Sequence, residues 1–177
     1  AIAEVLAKAH VRVDGDERAY ELFRFAADYE RSKGETAGYP LVMHLIGCSS
    51  ALRGLERFDE MLATAEEAIE YAHDGALVQG SWYFANLEDL RATALWELGR
   101  YDESDRAFDQ AVRLYDAAFE TDPGARFWIL RGMDGTYDRW IKLSEERHEN
   151  APSEGFDHRA EELRVLWEAA EAALEGG

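Results

Sequence analysis

Residues 55–69 read LERFDEMLATAEEAI and residues 98–112 read LGRYDESDRAFDQAV, the second a restatement of the first 43 positions later. Leu, Arg, Asp, Glu and Ala recur at matching places, and Phe58 is answered by Tyr101. The Asp-Glu pair occurs at 16–17, 59–60 and 102–103, so the interval of 43 is kept twice. Steps of 7, 10 and 11 residues from Gly15, Phe58, Tyr101 and Phe156 reach four sets: Leu22, Phe25 and Ala26; Ala65, Ala68 and Ile69; Phe108, Ala111 and Val112; Leu163, Leu166 and Trp167. All are apolar, and those steps fall on one side of a helix turning every 3.6 residues. Any amphipathic helix supplies one such stripe. It does not supply a constant distance between stripes, so the pattern predicts helical units that bury their stripes by stacking on one another.

Turn residues divide the rest of the chain consistently with this. Breaks fall at Asp14-Gly15, from Gly34 to Gly38 before Pro40, at Asp74-Gly75, at Gly99, at Asp122-Pro123-Gly124 and from Asn150 to Gly155. Pro40 and Pro123 suit the first turn of a helix, Gly34 and Gly99 suit helix ends, and Asp122 is placed to cap the helix that Pro123 opens. No segment alternates apolar and polar residues as a half-buried strand does. The expectation is an all-α protein, one domain over residues 1–177, made of helical hairpins at about 1–34, 39–74, 78–121 and 123–175.

Charge narrows the partners. The chain has 37 Asp and Glu against 19 Lys and Arg, a formal charge of -18, and no basic run to neutralise a row of phosphates. Nucleic acid and anionic membrane are therefore not expected, whereas a basic peptide or protein surface would be steered toward it. The single cysteine, Cys48, lies within the apolar run YPLVMHLIGCSS and reads as a small core residue. No stretch is long and apolar enough to span a bilayer, and AIAEVLAKAH lacks the pattern of a signal peptide, so the expected location is cytoplasmic.

The second copy, Leu98-Gly99-Arg100-Tyr101 followed by Ser104, Phe108 and Ala111, resembles the second half of a tetratricopeptide repeat. Residues 56–68 repeat it with Glu56 at the usual glycine and Met61 at a usual small position, and residues 155–166 keep Gly155 and Phe156 but carry Arg159 at the small position. In the leading helices, the family's Trp, Leu and Gly correspond to Glu88, Arg91 and Ala92, and to Leu45, Cys48 and Ser49, so only a small residue survives. The interval of 43, widening to 55 before the last copy, exceeds the family's usual repeat of about 34, which is similar to divergent bacterial members. The resemblance implies a right-handed superhelical stack of about four hairpins whose leading helices line a concave groove. Its lining would be Met43, Ile46, Ser50 and Arg53 from one copy and Asn86, Asp89, Thr93, Trp96 and Glu97 from the next. The Lys and Asn set with which chaperone-binding members grip a terminal carboxylate has no counterpart. The implied activity is binding of a protein or peptide, as a scaffold or sensor within a regulatory protein.

Signals for chemistry are sparse. Glu70 to His73 and Glu145 to His148 have the Glu-x-x-His spacing of di-metal carboxylate bundles, but both fall at helix ends, whereas a bundle's metal lies at mid-helix. His44, amid Leu41, Val42, Leu45 and Ile46, reads as a core histidine. There is no phosphate-binding glycine loop, zinc-type cysteine pairing or nucleophile motif. The expectation is a binding protein, not an enzyme, with no cofactor and no metal site. A di-metal helical enzyme is the alternative, and a self-associating homodimer is a further one that the Ala-rich LWEAAEAALEGG end leaves open.

Overall fold

The computed structural model describes residues 15–34, 38–76 and 81–147. The expected helix before Asp14 and the one beginning near Phe156 lie outside the described residues, as does the His148 half of the second Glu-x-x-His pair.

Six α-helices make up the described chain: α1 (Asp16–Arg31), α2 (Tyr39–Gly54), α3 (Phe58–Tyr71), α4 (Trp82–Glu97), α5 (Tyr101–Thr121) and α6 (Arg126–Arg147). No strand occurs among the described residues. The repeated sentence marks helix starts, since α1, α3 and α5 open with Asp16-Glu17, Asp59-Glu60 and Asp102-Glu103 in their first turns. Acids there meet the unpaired amides and positive end of the helix dipole. Pro40 stands in the first turn of α2, where its missing amide costs nothing.

The turn at 122–125 departs from expectation. Pro123 does not open α6; the helix begins at Arg126. Asp122 Oδ1 accepts hydrogen bonds from the backbone amides of Gly124 (3.1 Å) and Ala125 (3.2 Å), so it caps a separate turn ahead of the helix.

Two connections are built alike. At the end of α2 the amides of Leu55, Glu56 and Arg57 donate to the carbonyls of Ala51, Arg53 and Leu52. At the end of α4 those of Leu98, Gly99 and Arg100 donate to Ala94, Trp96 and Leu95, the same three bonds 43 residues on. Arg57 then forks onto Glu60 (2.7 and 2.6 Å) and Arg100 onto Glu103 (2.8 and 2.7 Å). Written identity has become geometric identity.

Every helix packs on its neighbour in the chain, and α4 also touches both α2 and α6. One side of the layer thus sets α2, α4 and α6 in a row. The core runs through it as linked clusters: Leu41, Val42, Leu45, Ala68, Phe84 and Leu87 in one, Leu52, Met61, Leu90, Leu95 and Phe108 in the next. A third joins Ala85, Tyr115, Ala118, Ile129 and Met133 at the α6 end. The stripe residues Ala65, Ala68, Phe108, Ala111 and Val112 are all buried, as a stack requires. In α1 the same positions behave differently, with Leu22 half-buried and Phe25 70% exposed.

The period extends into α6, where small residues recur at Ser49, Ala92 and Gly135. Ala92 shows their use: its carbonyl accepts a 2.8 Å hydrogen bond from the buried Ser104 hydroxyl of α5, a contact that a larger side chain at either place would block.

Candidate binding face on α2, α4 and α6

Residues at the groove positions are not equivalent once folded. Met43, Ile46, Arg53 and Asn86 are half-buried and Ser50 and Glu97 exposed, whereas Asp89, Thr93 and Trp96 are buried. Burial of these three has a common cause, namely that α4 is flanked on both sides. Trp96 lies in the core cluster with Leu52 and Phe108, and its ring meets Tyr101 edge-on at 4.8 Å. Thr93 turns its hydroxyl back to the Asp89 carbonyl at 2.9 Å.

Asp89 is the centre of the face. Its carboxylate, with only 2% of the side chain exposed, takes two hydrogen bonds from the Arg139 guanidinium of α6, at 2.5 and 3.2 Å. Two parallel bonds to a planar guanidinium are the strong geometry for such a pair. Burial pushes the Asp89 carboxyl above its usual range, and Arg139, then Arg53 and the neighbouring Thr136 hydroxyl, oppose that shift. Tyr115 sits behind the pair, its phenol raised by burial and by the Asp89 charge.

Arg53 has a different standing. Burial, and then repulsion from Arg139, lower its affinity for its proton, while Asp89 and Asp16 partly restore it. Yet it forms no hydrogen bond or ion pair with any described residue. Other half-buried arginines of the chain do pair: Arg31 with Glu67 at 2.8 Å, Arg57 with Glu60 at 2.6 Å, Arg91 with Glu88 at 3.0 Å. In a chain with about twice as many acids as bases, a half-buried guanidinium with no acceptor among the described residues is the exception on this face.

Arg139, Thr136 and Trp140 were not singled out from sequence. A signal was present, since Arg53, Trp96 and Arg139 stand 43 residues apart. Trp140 fixes α6 by donating its indole N–H to Asp105 (3.2 Å) and stacking on Phe108 (5.6 Å).

The other sequence candidates lie elsewhere. His73 is exposed just beyond α3, its ring 5.1 Å from Phe84, and Glu70 is exposed too. Among the described residues no three His, Cys, Asp or Glu side chains converge as a metal site needs. His44 is buried among its apolar neighbours, as its sequence context implies. Cys48 is buried, and burial pushes its thiol up to about 12. No described helix is long and apolar enough to cross a membrane.

These features define an all-helical protein with a layered row of helices. No family model, curated protein or solved structure matches the chain.

Proposed function

We propose that the chain is a peptide- or protein-binding module of tetratricopeptide-like, right-handed superhelical construction, and that the partner lies along α2 and across to α4. The observation that carries this reading is Arg53: a guanidinium half-withdrawn from water, within the electrostatic reach of Asp89 and Arg139, with no hydrogen-bond acceptor among the described residues. Ile46 and Met43, about two and three turns further back on α2, add half-buried apolar surface on the same helix. An adaptable methionine on the same helix as such an arginine suits recognition of a side chain followed by a backbone carbonyl. The formal charge of -18 favours a partner of net positive charge, drawn by the whole molecule and fixed locally by the acceptor it offers Arg53. Asp89 and Arg139 then hold the floor of the face, and Ser50, Asn86 and Glu97 its margins.

Selection of random displayed peptides on the immobilised full chain tests this. Enriched sequences are expected to carry net positive charge and to lose about tenfold in affinity, roughly 1.4 kcal/mol, on Arg53→Ala. Arg113→Ala, which removes an exposed arginine of α5 paired with Asp109, should leave the affinity unchanged. Peptides that bind equally well to the Arg53→Ala and Met43→Ala proteins would place the binding surface elsewhere.

A further inference from the structure

Along α1, Tyr20, Arg24, Ala27 and Arg31 follow one another at steps of 4, 3 and 4 residues, which keeps them on one side of the helix. Ala27 is the only small residue among them, and α2 brings a second small one, Cys48, to the same place. Helices that meet through short side chains flanked by long ones leave space between them. Here the space is a cavity of about 100 Å³, walled by this side of α1, by Leu45 and Cys48 of α2, and by Thr64 of α3. Ala27, Leu45 and Cys48 are buried, Tyr20, Arg31 and Thr64 half-buried, and Arg24 exposed, so the cavity has an apolar inner end and a polar mouth.

The two arginines at the mouth differ. Arg31 is occupied by Glu67, at 2.8 Å, and by Asp28. Arg24 makes no hydrogen bond or ion pair with any described residue. The field of both reaches the inner end: burial pushes the Cys48 thiol up, and Arg31 and Arg24 oppose that shift while Asp28 and Glu67 add to it. With Arg31 neutralised by its partners, Arg24 is left as a single positive charge, which suits a monoanion.

The next copy shows how the chain fills the corresponding positions itself. Leu45 and Cys48 are answered 43 residues later by Glu88 and Arg91. These two pair at 3.0 Å, the Glu88 side chain is only 12% exposed, and Glu66 of α3 lies 3.8 Å from Arg91. A part-buried carboxylate set against a guanidinium therefore belongs to the second copy. The first copy lacks both of those polar side chains, brings its guanidinium from α1 instead, and gives Arg24 no bonded carboxylate.

We infer that the cavity between α1, α2 and α3 is a binding site for a small monocarboxylic acid with a short alkyl body. The carboxylate sits on Arg24 at the mouth, and the alkyl chain lies against Ala27, Leu45 and Cys48. Volume sets the size of the acid. An apolar cavity of ~150 Å³ takes up benzene, so this smaller one admits an alkyl body of about three or four carbons and excludes a sugar or a nucleotide. The apolar inner end sets its chemistry, because a sulfate or phosphate would give up water there without gaining a partner. A charge-assisted bond to a guanidinium with no competing acid supplies the anchor.

Ligand-observed NMR titration of the full-length protein with sodium butyrate tests the assignment. Butyrate is expected to bind with a dissociation constant on the order of a millimolar. Butyramide, which keeps the shape without the charge, should bind about tenfold more weakly. Arg24→Gln, a change at an exposed position, should weaken butyrate about tenfold as well, whereas Arg113→Ala on α5 should leave it unchanged. Absence of binding at about ten times the expected constant would overturn the proposal, as would sulfate binding as tightly as butyrate. Unchanged affinity in Arg24→Gln would overturn it too, and if the loss came with Arg53→Ala instead, the acid would belong to the face of α2, α4 and α6.

Discussion

Glu56 occupies a backbone position that the second copy gives to glycine. Its φ is 56°, against 74° for Gly99 at the equivalent place, and in this region an L side chain crowds the following carbonyl. The turn is imposed by the three hydrogen bonds that close α2 onto α3, so the residue is held there by the chain on either side. Glu56→Gly is therefore expected to stabilise the protein by about 1 kcal/mol, and urea unfolding monitored by circular dichroism would register it. A loss of stability would mean that the glutamate side chain contributes more than its backbone costs. Its departure from the glycine of the second copy was visible in the sequence, whereas the left-handed backbone became evident only when both turns could be compared.

Among the elements, contact distance between helices depends on where glycine stands. A Cβ at Gly47 of α2 would fall 2.5 Å from the ring of Phe23 in α1, and that ring is itself 5% exposed and walled by Tyr20, Leu22 and Cys48. At Gly54 the same atom would meet the Asp16 carboxylate, the mobile end of a side chain with water beside it. Gly47→Ala should accordingly cost about 1–3 kcal/mol by forcing α1 and α2 apart, while Gly54→Ala should cost well under half as much. Equal effects in denaturant titrations would show that the α1–α2 approach is not set by this glycine. Helix existence was legible from the apolar stripes and acidic first turns, and α3 and α5 begin at Phe58 and Tyr101 where the repeat places them. The start of α6 was not, because Pro123 fits either a first helical turn or a tight turn before one, and the Asp122 side chain decides between them by bonding the amides of Gly124 and Ala125.

For the molecule as a whole, one spacing organises helices, turns and ion pairs, and it explains where apolar surface is left over. Phe25 and Tyr29 on α1, and Phe127 and Trp128 on α6, stand exposed at the two ends of the described row, at positions the inner copies bury. The candidate face was half legible for the same reason. Resemblance placed Met43, Ile46 and Arg53 on a shared side of α2, but it also placed Asp89, Thr93 and Trp96 on a surface, and these are buried. The first of them is bonded by Arg139, fifty positions away on α6, and a long-range pair of that kind leaves no mark on local periodicity.

The recurrence of one hairpin at an interval of 43 residues is best tested by distances between spin labels, in a Cys48→Ala background of the full-length protein. Labels at 39 and 70 span the first described hairpin from the start of α2 to the end of α3, and labels at 82 and 113 span its counterpart on α4 and α5. If the hairpins are copies, the two distance distributions coincide in position and width. Two distinct mean distances would contradict the account, because they would mean that the repeated sequence does not specify a repeated shape.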